Sequence, residues 1–131
     1  MKITLQQIID AAWQKFIVED APPALAADGR CVYRTEDGRA CAVGLCIPDD
    51  SPATGYQGGL SSLSEDMPEL FDNSVLELAG YRLSSFQSSL HDGLCGADGW
   101  QVTRDERAER YRAVAKSYGL TLPNGGVLVT P

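Results

Sequence analysis

No apolar run in the chain approaches the roughly 18 residues that a helical membrane span requires. The N-terminus, Met-Lys-Ile-Thr-Leu-Gln-Gln, lacks the continuous apolar stretch and small-residue cleavage site of a signal peptide, so a cytoplasmic location is expected. The four cysteines, Cys31, Cys41, Cys46 and Cys95, include no C-x-x-C, which removes the usual zinc-knuckle and thioredoxin signatures. None sits in a recognisable nucleophile motif. Histidine occurs once, as His91. There is no Gly-rich phosphate cradle, no alternating acidic calcium loop and no internal repeat. No cofactor is expected.

What is present fits one domain. A chain of 131 residues is long enough to build one core without a disulfide or a metal. Its net charge of −7 is unevenly distributed. Residues 49–98 carry nine acids against the single base Arg82, for −8, whereas residues 1–48 stand at −1 and residues 99–131 at +2. Such a field repels nucleic acid and attracts basic protein surfaces, raising association rates more than affinity.

Hydrophobic spacing predicts the elements. Residues 4–19 read as a helix: Thr4 and Gln7 make a capping box, and Leu5, Ile8, Ile9, Ala12, Phe16 and Ile17 form an apolar stripe. Pro22-Pro23 ends it. Residues 30–46 read as a β-hairpin around Asp37-Gly38, placing Cys31, Tyr33, Cys41 and Val43 on one face. A long loop is expected over 50–63, anchored by Tyr56 and Leu60. Helices are expected over 68–79, stopped at Gly80, over 82–92 and over 104–118. Thr103 with Glu106 should cap the last of these, and Gly119 should end it. Val127-Leu128-Val129 would add an edge strand or pin the tail. The expected fold class is α+β: a small single domain, 1–131, with an N-terminal helix, a hairpin over about 30–46, three helices, and a short C-terminal strand or tail.

Four constellations could carry chemistry. Cys41, His91 and Asp92 contain the thiol, imidazole and carboxylate of nucleophilic catalysis, which predicts a cysteine-dependent hydrolase or transferase using Cys41 and His91. Asp92 follows His91 directly and, if both stayed helical, would point elsewhere. Cys31, Cys41, Cys46 and His91 or Cys95 supply ligand types that zinc accepts, though at no common spacing. The acids Asp49, Asp50, Glu65, Asp66, Glu69 and Asp72 could form a binding face, together with Tyr56 in the long loop. Finally, Arg104, Arg107, Arg110, Arg112 and Lys116 interleave with Asp105, Glu106 and Glu109, which reads as an exposed face with internal ion pairs rather than a nucleic-acid grip.

The segment Cys31-Val-Tyr-Arg…Asp37-Gly-Arg-Ala-Cys41-Ala-Val-Gly-Leu-Cys46-Ile-Pro-Asp49 resembles a signature of small uncharacterised phage and prophage proteins, C-x-Y-R…G-x-x-C-A-I-G-x-L-I-P-D. Leu90-His91-Asp92 and Tyr118-Gly119-Leu120-Thr121-Leu122-Pro123 are similar to later parts of that pattern, and the chain departs from it at Leu45-Cys46. The resemblance implies an accessory protein of a mobile element, acting in the host cytoplasm. With the acidic middle segment, it leads to the expectation of a stoichiometric inhibitor of a host defence complex, of the anti-CRISPR kind. Its partner would be a basic host protein or protein complex, with no direct nucleic-acid or membrane contact. Binding is expected ahead of catalysis. The third expectation is a small-ligand-binding (sponge) protein whose pocket lies between the hairpin and the Tyr56 loop.

Overall fold

Thr4 accepts the Gln7 amide at 3.0 Å while Gln7 Oε1 accepts the Thr4 amide at 3.0 Å, so the predicted capping box is formed and α1 runs Leu5–Ala12. The computed structural model of the chain describes residues 2–25, 32–96 and 99–127. Beyond Ala12 the predicted helix continues as a π-helical segment, Trp13–Val18. Trp13, Phe16 and Ile17 of this segment are all buried.

The expected β-hairpin over 30–46 is reduced to one antiparallel bridge, Arg34–Ala40, around the Asp37-Gly38 turn. Cys31 lies outside the described residues. After Cys41 the chain curls into helical turns, ending in a 3₁₀ segment at Gly44–Cys46. Residues 40–44 are all buried, without the alternation of a two-faced strand. The backbone at Gly44 lies directly against Tyr33: an added Cβ would stand 2.0 Å from the Tyr33 carbonyl oxygen. The antiparallel hairpin of this α+β domain is instead β1, Cys95–Gly96, with β2, Gly99–Trp100, paired Cys95 to Trp100 and Gly96 to Gly99.

The expected loop over 50–63 contains a helix, α2 (Leu60–Asp66), whose serines conceal the inward pair Leu60 and Leu63. The expected helix over 68–79 is broken. Phe71 is extended and fully buried in a parallel bridge to Ile3, with Ile3 N–H donating to Leu70 O at 2.7 Å and Asp72 N–H to Ile3 O at 3.0 Å. Asp72 then caps α3, Asn73–Leu76. Gly80, expected as a stop, starts α4, Gly80–Leu90, which packs against α2 and α5.

The helix α5, Arg104–Tyr118, matches its predicted bounds. Thr103 accepts the Glu106 amide at 3.2 Å, and Gly119 adopts the left-handed cap at φ 69°, which costs glycine little. Arg107, assigned above to an exposed face, is buried. At the C-terminus, Val127 is exposed outside any strand, and Leu128 and Val129 lie outside the described residues. One hydrophobic cluster joins α1 and the π segment to Phe71, Phe86, Leu90 and Tyr111. Among the described residues no helix is long and apolar enough to cross a membrane.

Candidate functional site

The turn that replaces the second strand is held by Arg34. Its Nε donates to Gly44 O at 3.0 Å, its Nη2 to Ile47 O at 2.6 Å and its Nη1 to Asp49 at 2.6 Å. Inside the turn, Cys41 N–H donates to Tyr33 O at 3.2 Å, and the Gly44 amide donates to Cys41 Sγ at 3.3 Å. Facing it is the Tyr56–Gly59 loop, tied down where Tyr56 OH donates to Asp66 at 2.5 Å. Behind both, the buried Gln87 of α4 accepts the Leu60 amide on Oε1 at 2.7 Å.

These three elements enclose a cavity of about 270 Å³. Val32, Tyr33 and Cys41 line it from the first turn, residues 56–59 from the loop, Gln87 from α4, and Asp92 from beyond the helix end. Among the described residues its lining contains no Lys or Arg. The Tyr33 hydroxyl is buried without a hydrogen-bond partner. Burial raises its pKa far above the ordinary phenol value, Cys41 adds to the rise, and the Gln87 carboxamide opposes it.

His91 stands behind this site, fully buried between Phe16 (ring centroids 5.2 Å) and Trp100 (5.4 Å). Its Nε2 accepts the Ala24 amide at 3.1 Å, so in this arrangement the proton resides on Nδ1, 2.9 Å from Asp92. Asp92 therefore does meet His91. The helix ends at Leu90, and His91 takes φ −150°, ψ −66°, which turns neighbouring side chains toward each other. Cys95 contacts the ring, with Sγ 3.8 Å from Nδ1 and 3.1 Å from the His91 carbonyl. Nδ1 thus faces both the carboxylate and that thiol, whereas a nucleophile–base–orienter relay uses opposite ring nitrogens.

Cys46 lines a different, shallow groove beside α1 with Ile3, Asp10 and Pro48, where burial, with help from Asp10, raises its thiol pKa to about 11. Among the described residues no three His, Cys, Asp or Glu side chains are grouped to hold a metal ion. The acids of the predicted face have different partners. Asp49 pairs with Arg34, Asp66 accepts from Tyr56, and Asp72 caps α3, while Asp50, Glu65 and Glu69 are exposed. Sequence reasoning named Tyr56 and Cys41 for the site and missed Tyr33 and Gln87 as its polar groups. The one signal for Gln87 was an amide on the apolar side of a helix, three residues before Leu90 and one after Phe86.

Tyr111 is raised by burial as well, and its hydroxyl donates to the Leu90 carbonyl. Because the folded pKa values of Tyr33 and Tyr111 exceed the unfolded value of about 10, the stability linked to them is intact below that pH and declines as pH rises above it. In an absorbance titration of the five tyrosines, two are expected to ionise only as circular dichroism reports alkaline unfolding. All five titrating near pH 10 in a folded chain would contradict the burial.

These elements define a small α+β domain with a side-chain-lined cavity between a tight turn, a loop and a helix. Compared with models of protein families, with curated proteins and with solved structures, the chain matches none.

Proposed function

We propose that this protein is a small-ligand-binding protein of the sponge type, with its site in the cavity between the Tyr33 turn and the Tyr56–Gly59 loop. The observation that carries this reading is the buried, unpartnered Tyr33 hydroxyl lining that cavity. Desolvating a hydroxyl without a partner costs about 1–3 kcal/mol, a cost that a bound molecule would remove. The cavity wall mixes polar and apolar groups, which gives a bound molecule both contact surface and hydrogen-bond partners.

A second reading, inhibition of a basic host complex by the acidic segment, is favoured by one observation. Arg82, the sole base of residues 49–98, lies over the Tyr118 ring at 4.6 Å, turned toward α5 rather than toward the exposed carboxylates Asp50, Glu65 and Glu69. One experiment tests both readings. The chain purified gently from its host is denatured and the released material is analysed by mass spectrometry. The ligand reading expects a stoichiometric small molecule and fails if none is released and a metabolite panel leaves the melting temperature unmoved. The inhibitor reading expects a protein partner lost at high salt and lost when Asp50, Glu65 and Glu69 are neutralised together; retention of that partner removes it.

A further inference from the structure

The polar groups of the cavity restrict what it can hold, and the restriction rests on the ligand-binding reading above. Gln87 already uses Oε1 to accept the Leu60 amide at 2.7 Å, so the part of its side chain left to present is the N–H₂. Tyr33 brings a hydroxyl with no partner, beside the same carboxamide but without an aligned hydrogen bond to it. Like any phenol it is protonated through the neutral range, and burial extends that range upward. Two donors thus line one site, beside the Gln57 side chain and the Asp92 carboxylate, and a ligand oxygen placed between the two donors would accept from both.

The described lining favours an uncharged acceptor. Asp92 lines the cavity and adds to the upward shift of the Tyr33 pKa, which marks a negative contribution at the phenol. Among the described lining residues there is no Lys or Arg to offset that contribution for a phosphate or carboxylate. Cys41, Gln57, Gly58 and Gly59 also line the cavity, and Val32 and Tyr56 offer it apolar surface suited to a flat ring. A volume of about 270 Å³ corresponds to about nine waters at ~30 Å³ each. That is room for a single small ring.

We infer that the cavity takes a neutral, planar, carbonyl-bearing molecule of nucleobase size, a lactam or cyclic amide, whose oxygen accepts from Tyr33 and Gln87. Tyr33→Phe separates this grip from mere structure, because it keeps the ring and removes only the hydroxyl. The variant folds with a melting temperature equal to or above that of the parent, since the hydroxyl it lacks was buried without a partner.

The full-length chain is titrated with 2-pyridone, and with benzoate and indole as an anion and an acceptor-free ring of similar size. NMR shifts of Tyr33 and Gln87 report binding. The expected result is that 2-pyridone binds, that Tyr33→Phe weakens it about fivefold or more, and that benzoate and indole bind less well than 2-pyridone. Benzoate or indole binding better than 2-pyridone, or Tyr33→Phe binding 2-pyridone unchanged, overturns the carbonyl grip and leaves the cavity a ligand site of another class. If none of the three shifts Tyr33 or Gln87 and denaturation releases no small molecule, the ligand-binding reading falls with it.

Discussion

Gly44→Ala is expected to destabilise the chain by about 3 kcal/mol or more, lowering the melting temperature by about 10 °C. The added methyl carbon would stand 2.0 Å from the Tyr33 carbonyl oxygen and 2.8 Å from its carbonyl carbon. Neither is the end of a flexible side chain, so no rotamer change relieves the overlap. Two backbone segments must separate, and they are the ones joined by Cys41 N–H donating to Tyr33 O at 3.2 Å. Arg34, which spans from Tyr33's neighbour to Gly44 O and Ile47 O, would lose its geometry in the same movement. The cavity wall then comes apart, so loss of the 2-pyridone response should accompany the loss of stability. Gly55→Ala is the control, because an added Cβ there meets nothing within 4 Å. It is expected to fall within about 0.5 kcal/mol of the parent. Urea midpoints measure both. Equal midpoints for the two variants would show that the chain does not cross itself at Gly44.

Arg107→Met is expected to cost about 3 kcal/mol, with Arg107→Lys recovering only a minor part. Arg107 is 2% exposed, and its guanidinium is divided among three partners. Nη1 donates to Val102 O at 3.0 Å and Nη2 to Phe16 O at 3.1 Å, while Nη2 also pairs with Asp20. Its plane lies over the Trp100 ring, 4.6 Å from the centroid, which offers a π-face to a group whose Nε has no hydrogen-bond partner. Phe16 O belongs to the last turn of the π segment, where carbonyls have no intrahelical donor. Methionine fills the volume and leaves that oxygen and Val102 O without this donor. Lysine carries the charge but cannot reach both carbonyls with a planar fork.

Asp20 is a lesser contributor. Its carboxylate is 56% exposed, so the ion pair is screened, and a double-mutant cycle with Asp20→Asn should give a coupling under about 1 kcal/mol. Thermal melts of Arg107→Met at the parent's melting temperature, or full recovery by Arg107→Lys, would show that the fork does not hold the π segment to α5.

How much of this was readable depended on whether each element's signals were local. Thr4 with Gln7, and Thr103 with Gly119, lie within a few residues of the groups they satisfy, and α1 and α5 start where those residues place them. The helix expected over 68–79 failed because Phe71 answers to Ile3, 68 positions away in the chain, and no local propensity records that pairing. Gly80, by sequence a helix stop, begins one because its bare backbone fits against Ser61, where an added Cβ would lie 2.7 Å from Oγ. At the candidate site, Cys41 and Tyr56 were legible as chemistry. Tyr33 was read only as a residue on the expected hairpin face, and Gln87 as nothing more than a helix residue.

The sequence alone determined where α1 and α5 begin, the Asp37-Gly38 turn and the acidic middle of the chain, because capping, turn chemistry and charge are settled by neighbours along the backbone. Only the tertiary structure decided that the second strand would curl back at Gly44, that Arg107 would be buried, and that Tyr33 and Gln87 would line one cavity. Each of those outcomes depends on segments distant in sequence competing for the same space, and burial turns a polar side chain into a site only once that competition is resolved.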